Sequence, residues 1–440
     1  MLTIRARILI LAGLFFLFLG FSLMNYYLIF LGIFCVLSTV ISIPIFEYSV
    51  DLKDIEFERN LDKEKVFAND FIHVTVKLRN IGNRSYEFIE VYDIFPENFI
   101  LALGENWIGT RLDKGQEIEY SYVLMAKNRG AYNLGPTQVI IRDRLGFHFE
   151  SSKVRNITEI IVYPSYEDVR RMKAFASRRR QGLMFGTHAT RQKGYGSEFY
   201  GIRPYITEDE YRRIDWKATA RTGKHMVREF ESEKNIRFLI LLDASSSMSR
   251  GKIEEDKLEY TIRASVLLAN LAQERRDSIG LLTFSDKMHY YLPPKPGRDN
   301  FFKILDNLSK VQASGKKVLY EAMDFVVKRL PKSSFFFLLT DMEDIKDEFL
   351  KAIQLARSYN HNIIIISPFG PWFEARPEEL RAVDRALAQA IAEELWEKRM
   401  NLIRSLARLN VNVINVSPAD YFPTVISEFL KAKKKGMGLI

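Results

Sequence analysis

The chain opens with a long apolar stretch. No charged residue occurs from Ile8 to Phe46, a run of 39 positions dominated by Leu, Ile and Phe. One helix needs ~20 apolar residues to cross the hydrocarbon core of a bilayer, so the run predicts two spans joined at a turn marked by Asn25, Tyr26 and Tyr27. A cleaved signal peptide is the alternative, but its apolar region is ~7 to 15 residues long, and no small-residue cleavage motif follows here.

Basic residues before this stretch predict its orientation. Arg5 and Arg7 precede the first span, and the positive-inside rule then places the N-terminus in the cytoplasm. Two spans return the chain to that side, so we expect a multi-pass protein of the cell membrane. Residues 1–47 would be a helical hairpin, and both termini and the whole soluble body after Glu47 would be cytoplasmic. The only cysteine, Cys35, suits a reducing compartment.

Residues 48–165 show the alternation of β-strands. Ile72, Val74, Val76 and Leu78 alternate with polar side chains, and turn signals such as Asn80-Ile81-Gly82-Asn83 separate runs of this kind. The pattern predicts a small antiparallel β-sandwich. Its role is open between a spacer and a domain that binds a partner through its edges.

Residues 166–233 form a basic connector. Between Arg170 and Glu229 there are fifteen Lys and Arg against six Asp and Glu, an excess of nine that equals the net charge of the whole chain. Glycines predict a loop in the first half, and aromatic residues are interleaved with the basic ones. A solvated face, an anionic-lipid surface and an acidic protein partner all fit this pattern, with Arg178, Arg179 and Arg180 as candidate partner contacts. Nucleic acid is disfavoured because the membrane anchor argues against it and no RNP, KH or helix-turn-helix pattern is present.

Residues 234–440 alternate short apolar runs with helical stretches. Such a pattern predicts a doubly wound α/β domain with a parallel sheet covered on both faces. The predicted strands are 237–242, 278–284, 334–340, 362–367 and 411–416, and the predicted helices are 255–275, 299–308, 319–330, 377–409 and 424–435. The ligand site of such a sheet lies at the carboxyl ends of the strands.

Oxygen donors cluster at two of these strand ends. Asp243, Ser245 and Ser247 follow the first strand, and Asp341 follows a later one. Carboxylate and hydroxyl oxygens are ligands for Mg²⁺, and so few charged ligands leave room for water or an external carboxylate. The alternative is a serine-rich turn that caps the next helix, with Asp243 accepting hydrogen bonds from loop amides.

The Asp-x-Ser-x-Ser pattern with the later aspartate resembles the metal-ion-dependent adhesion site of von Willebrand factor A domains. Residues 128–136 and the segment Tyr205 to Arg221, with its Arg-Arg-Ile-Asp-Trp-Lys run, resemble the domain-of-unknown-function-58 family. The resemblance covers almost the whole chain. It implies a membrane-anchored von Willebrand A-like protein that works with a MoxR-type AAA+ ATPase in protein assembly or maturation. By this resemblance, Asp243, Ser245, Ser247 and Asp341 would hold the metal.

The chain departs from that pattern at one ligand. Such sites take a threonine from the loop before a helix, whereas this chain has Gly315-Lys316-Lys317-Val318-Leu319 there. The Lys317 ammonium could weaken or replace the cation, which makes Lys317 a candidate partner-binding residue and Mg²⁺ an uncertain cofactor.

Other chemistries find little support in the sequence. A phosphate-binding loop for ATP is missing, no Gly-x-Ser-x-Gly elbow occurs, and Ser245 stands where an aspartyl phosphatase needs an acid. We therefore expect a non-enzymatic, membrane-anchored interaction module without a small-molecule substrate. The alternatives are a Mg²⁺-dependent hydrolase using the same site, and an anionic-lipid or nucleic-acid binder acting through the connector.

Overall fold

The computed structural model describes residues 2–165, 193–207, 209–231, 235–249, 256–331, 333–343, 345, 347–374 and 382–435. They belong to two compact units, residues 1–165 and residues 166–440.

The first unit begins with two apolar helices, α1 (Ile4–Ser22) and α2 (Tyr26–Ser49). Both are long and apolar enough to span a membrane. Asn25 caps α2 by accepting a hydrogen bond from the Tyr27 amide at 3.0 Å. The tyrosines predicted for the turn therefore open the second helix, and the turn itself is residues 23–25.

Glycines bring the two helices into close contact. A Cβ atom added at Gly13 would lie 2.9 Å from Val36, and one at Gly32 would lie 2.8 Å from the Gly13 carbonyl oxygen. Neither position has room for a larger side chain, so the backbones approach as they do in small-residue helix pairs of membrane proteins.

The rest of this unit is a β region arranged in three sheets. Its strands are β1 (Ile55–Leu61), β2 (Lys65–Phe67), β3 (Phe71–Asn80), β4 (Tyr86–Asp93), β5 (Phe99–Gly104), β6 (Trp107–Leu112), β7 (Glu117–Ala126), β8 (Gly130–Leu134), β9 (Thr137–Arg142), β10 (Phe149–Val154) and β11 (Thr158–Tyr163). The sheet orders are β1-β3-β7-β5, β10-β9-β4-β6 and β2-β11-β8. The alternation predicted on β3 is confirmed by its buried Ile72, Val74, Val76 and Leu78. The purely antiparallel prediction is wrong for one pair, because β2 runs parallel to β11.

A buried ion pair ties these sheets together. Arg59 on β1 donates from Nε to Asp93 Oδ2 at the end of β4 (2.8 Å), and a second guanidinium nitrogen bonds Asp93 Oδ1. The same guanidinium donates to the carbonyls of Leu134 and Asn156 at 3.0 and 2.8 Å. Neither charged side chain is exposed, so this cluster is enclosed in the β region.

The described part of the second unit begins with a two-stranded sheet. Strands β12 (Lys193–Pro204) and β13 (Met226–Glu231) pair antiparallel, and the short helix α3 (Trp216–Thr222) lies between them in sequence. The predicted loop therefore does not extend over the whole first half of the connector, because β12 starts at Lys193. Arg178, Arg179 and Arg180 lie outside the described residues.

The α/β part of this unit has a six-stranded sheet in the order β16-β15-β14-β17-β18-β19. Its strands are β14 (Arg237–Asp243), β15 (Ser278–Phe284), β16 (Met288–Lys295), β17 (Phe335–Leu339), β18 (Asn362–Pro368) and β19 (Asn412–Val416). The helices are α4 (Lys257–Glu274), α5 (Arg298–Lys310), α6 (Leu319–Val327), α7 (Asp347–Ser358), α8 (Gly370–Glu374), α9 (Ala382–Arg408) and α10 (Tyr421–Lys434). Every residue of β15 and β17 is buried, as expected for strands covered on both faces.

Three elements of this part were not predicted: strand β16, helix α7 and the short helix α8. Strand β16 pairs antiparallel with β15 at the sheet edge, so the sheet is mixed rather than purely parallel. Pro293 and Pro294 argued against a strand in the sequence, because proline has no amide to donate a hydrogen bond to a neighbouring strand. Proline is tolerated only in edge strands such as β16. Helix α7 is amphipathic but short, and it follows the polar residues after β17 without a clear sequence boundary.

Candidate functional site

The predicted site forms at the carboxyl ends of two neighbouring strands. Asp243 is the last residue of β14, and Asp341 comes two residues after β17, which pairs parallel to β14. Both aspartates are fully buried. Parallel pairing brings the two strand ends to one edge of the sheet, as the sequence predicts. We call the cluster that Asp243 and Asp341 form there, together with the charged side chains that contact them, the rim.

Hydrogen bonds hold the loop that follows β14. The Ser245 amide donates to Asp243 Oδ1 at 2.9 Å, and the Thr340 hydroxyl donates to Asp243 Oδ2 at 2.6 Å. The Ser245 and Ser247 hydroxyls are 3.1 Å apart. Helix α4 is capped by Asp256, which accepts from the Glu259 amide at 2.7 Å. The alternative is thus half right: Asp243 does bond a loop amide, but the serines do not cap α4.

Lys317 places its ammonium between the two aspartates. Its Nζ lies 3.2 Å from Asp243 Oδ2, bonds Asp341 Oδ1, and donates to the Glu343 carbonyl at 3.1 Å. Only 6% of the side chain is exposed. The loop between α5 and α6, where the resemblance implied a threonine ligand, therefore delivers a cation of its own to the rim.

A second lysine in the rim was missed by the sequence reasoning. Lys257, the first residue of α4, places Nζ 3.0 Å from Asp341 Oδ2 and 3.0 Å from Glu343 Oε1. Its side chain is fully buried. Glu343 could have been suspected, because it lies two residues beyond Asp341. Lys257 gave no signal, since a lysine in an amphipathic helix normally belongs to the solvated face.

Asp341 and Lys317 stabilise each other's charged forms. Burial alone would raise the pKa of Asp341, but Lys317 and Lys257 hold it well below its usual range. Burial would likewise lower the pKa of Lys317, whereas Asp243 and Asp341 raise it above its usual value. Among the described residues, two ammonium groups thus face three carboxylates.

A third cation compensates this excess from a distance. Arg399 on α9 is buried, and it donates to Asn415 Oδ1 at 2.7 Å and to the carbonyls of Ser367 and Pro368. Burial lowers the pKa of Arg399 to about 10, and the charges of Asp341 and Glu343 act in the opposite direction. It therefore stays protonated and adds a positive field behind the rim.

These residues do not fit a divalent cation as they stand. A magnesium ion needs oxygen ligands at ~2.0 to 2.1 Å, and the space between Asp243 and Asp341 holds the Lys317 ammonium. Within the described part of the chain, no group of three or more His, Cys, Asp or Glu is placed to hold a metal. The geometry favours the alternative in which Lys317 takes the place of the cation, and Mg²⁺ binding stays a prediction.

The rim reaches solvent through its loops. Ser246 and Lys316 are exposed, and Ser247 and Glu343 are half-buried. The Ser246 amide donates to the Gly315 carbonyl at 3.0 Å, and the Ser314 amide donates to the Ala244 carbonyl at 2.9 Å. The two loops therefore form one continuous surface, over a core of charges that is buried beneath them.

A small cavity opens beside this surface. Its volume is about 250 Å³. Its lining includes His289, Tyr290, Asn307, Lys310 and Ser314. The cavity is large enough for one side chain of a bound protein but smaller than the ~300 to 1,000 Å³ typical of small-molecule sites.

The rim residues lie in the part of the chain that is similar to a known protein family. Residues 201–371 match the model of the family described as "Protein of unknown function DUF58". The chain is 23% identical over 261 residues to the uncharacterized protein YeaD of Bacillus subtilis, covering 59% of this chain and 63% of that protein. It is 24% identical over 141 residues to the uncharacterized protein Rv1480 of Mycobacterium tuberculosis, covering 32% and 44%. The chain thus spans less than two thirds of these relatives.

Two solved structures are similar to parts of the chain. One is the conserved hypothetical protein BatB of Bacteroides thetaiotaomicron, with 15% identity, a TM-score of 0.32 and coverage of 46% of this chain and all of that one. The other is an aerotolerance-related membrane protein of Bacteroides fragilis, with 15% identity, a TM-score of 0.31 and the same coverage.

Proposed function

We propose that this chain is a membrane-anchored protein-interaction module, an adaptor for a MoxR-type AAA+ ATPase in protein assembly or maturation. Helices α1 and α2 would be its anchor, with both termini and the remaining body in the cytoplasm. The rim would be its docking surface in a von Willebrand A-like domain. The proposal is of a binding protein rather than an enzyme.

One observation carries this proposal: a lysine of the chain itself fills the space between the two aspartates of the rim. The ammonium of Lys317 contacts both aspartates, so the surface needs no cation to be assembled and can present a fixed shape to a partner. The oxygens of Asp243 are engaged with Ser245, Thr340 and Lys317. If Asp243 acted as a nucleophile, its attacking oxygen would have to give up one of these bonds. The hydrolase alternative therefore gains no support.

The exposed lysine next to Lys317 supplies the contact that a partner can reach. Lys316 lies at the solvent side of the same loop, opposite the exposed Ser246. An acidic side chain of the ATPase would meet Lys316 first, and the adjoining cavity would take a neighbouring side chain. Lys317 would act as a positioning residue that holds the loop on the rim. The basic connector, including Arg178, Arg179 and Arg180, would steer the acidic partner and so act mainly on the association rate.

Binding of the full-length protein in nanodiscs to a MoxR-type ATPase from the same organism tests this function. Lys316→Glu should slow association by ~tenfold or more, an effect that shrinks as salt rises past ~0.15 M. Lys317→Met should weaken affinity by releasing the loop. Lys303→Glu makes the same charge change at an exposed position on α5 and should have little effect.

The same measurement can refute the rim. Unchanged binding of Lys316→Glu and Lys317→Met, at low and at physiological salt, would remove it as the docking surface. Charge reversal at Arg178, Arg179 and Arg180 tests the connector separately, and an unchanged association rate would remove the steering role.

A further inference from the structure

A second surface lies on the two-stranded sheet that precedes the rim. Helix α3 is fixed to this sheet by Asp215, which accepts from the Lys217 and Ala218 amides at 3.0 Å and pairs with Arg228 at 2.8 Å. The Met226 amide also donates to the Thr219 hydroxyl at 3.0 Å. These bonds fix α3 to strand β13.

Large apolar side chains project into solvent from the segment between β12 and α3 and from the first residue of α3. Tyr211 is 75% exposed, Trp216 is 65% exposed and Ile206 is 52% exposed. Isolated exposed apolar residues are ordinary, but three within eleven positions on an ordered element indicate a contact surface.

Three acidic side chains described between β12 and α3 are already paired. Asp209 pairs with Arg203 at 2.5 Å, Glu210 with Arg213 at 3.4 Å, and Asp215 with Arg228. Four further cations are exposed and form no ion pair with any described residue: Arg212, Lys217, Arg221 and Lys224. We call these four cations, together with Ile206, Tyr211 and Trp216, the aromatic–basic patch.

The composition of this patch matches one kind of ligand. Trp and Tyr favour the boundary between headgroups and hydrocarbon, where their rings are half-immersed. Lys and Arg near them attract anionic headgroups while their alkyl stems cover apolar surface. An acidic protein partner would satisfy the cations as well, and the experiment on Trp216 distinguishes it from lipid.

We propose that the aromatic–basic patch binds the anionic phospholipid surface of a bilayer. The two apolar helices favour this ligand over others, because a tethered domain meets the bilayer at high effective concentration and a weak contact then suffices. The inference rests on the anchorage in the proposed function but not on the ATPase. Binding would place the Trp216 ring at headgroup depth in membranes that contain anionic lipid.

Tryptophan quenching by brominated lipids tests the inference on the full chain. The protein is reconstituted into phosphatidylcholine bilayers with or without phosphatidylglycerol, and the contribution of Trp216 is the difference between wild type and Trp216→Phe. We expect Trp216 to be quenched in the anionic bilayers, and to lose this quenching in phosphatidylcholine alone or at high salt. Trp372→Phe, at another exposed tryptophan, should leave the lipid dependence unchanged.

Charge reversal gives the second arm. The double variant Lys217→Glu with Arg221→Glu should lower the quenched fraction of Trp216 fluorescence in anionic bilayers ~tenfold or more. Lys295→Glu with Lys303→Glu makes the same change at exposed positions elsewhere in this unit and should leave the fraction unaltered. Equal losses from both pairs would overturn the proposal, because net charge rather than the patch would then set the contact.

Two further outcomes would also overturn it. Trp216 unquenched in both bilayers would exclude lipid contact, and its protection by an added acidic ATPase would make the patch a protein-binding surface. Extraction of the whole chain from the bilayers by carbonate would instead refute the anchorage, so failure of the proposed function is distinguishable from failure of this inference.

Discussion

Two regions of this protein bury charged side chains, and they do so in different ways. In the β region, one guanidinium meets one carboxylate: Arg59 bonds Asp93 through two nitrogens. In the α/β part, two ammonium groups share three carboxylates at the ends of β14 and β17. The first cluster has the planar, bidentate geometry that only arginine offers, whereas the second uses lysines as point charges reaching in from separate elements.

The surroundings of the two clusters differ as well. Asp93 receives a further hydrogen bond from the Tyr122 hydroxyl at 2.7 Å, and burial raises the pKa of Tyr122 far above its usual value, so this hydroxyl stays a donor. The side chains of Arg59 and Asp93 have no exposed surface. At the rim, Glu343 retains 15% exposure and Ser247 is half-buried. An enclosed pair can only hold the fold, but a cluster open at one side can also respond to what binds there.

The largest expected effect is at the enclosed pair. Arg59→Met should lower the free energy of unfolding by about 3 to 5 kcal/mol, because it leaves Asp93 buried without a cation. Chemical denaturation of the full chain in detergent measures this. Arg111→Met breaks the exposed pair with Asp113, whose side chains are 62% and 49% accessible, and should cost no more than ~1 kcal/mol. Equal losses in the two variants would refute the distinction.

A smaller loss is expected at the rim. Lys317→Met leaves Asp341 paired with Lys257 and leaves Asp243 bonded to Thr340 and Ser245. We therefore expect it to lower the free energy of unfolding by about 3 kcal/mol at most. Lys328→Met, which breaks an exposed pair with Asp324 on the same unit, is the control. A larger loss of unfolding free energy for Lys317→Met than for Arg59→Met would contradict this order.

The smallest effect concerns magnesium. If Lys317 takes the place of a cation, saturating Mg²⁺ should leave the melting temperature of the wild type unchanged. Lys317→Thr should acquire a response, of up to ~2.7 kcal/mol at about a hundredfold excess over the dissociation constant. Asp243→Ala in that background should abolish it. A rise in the wild type would instead show that a metal displaces Lys317.

The strand pattern of the sequence was sufficient for much of the fold. Alternation on β3 and the continuous apolar runs of β14, β15, β17 and β18 depend on burial of whole strands, which leaves a local signature. The parallel β2–β11 pair and the edge strand β16 could not be predicted this way. Pairing between distant strands has no local signature, and prolines in β16 pointed away from a strand.

The site was partly predictable for a similar reason. Asp243, Ser245, Ser247 and Asp341 follow strands whose ends meet, and Lys317 stood out because it replaced an expected hydroxyl. Lys257 could not be found, because its approach to Asp341 depends on how α4 packs across the sheet. The metal ligand set was what the resemblance implied, and the departure at Lys317 already indicated that an ammonium could take the place of the cation.

The close packing of α1 and α2 at Gly13 and Gly32 also bears on how the protein enters its membrane. Two apolar helices that fit together can insert as one body, and their joining segment, Leu23-Met24-Asn25, carries no charge. In the proposed topology, only this segment would have to be carried to the far side. Biogenesis would then need an insertase that accepts a hairpin, but no export of a folded or unfolded domain through a translocation channel.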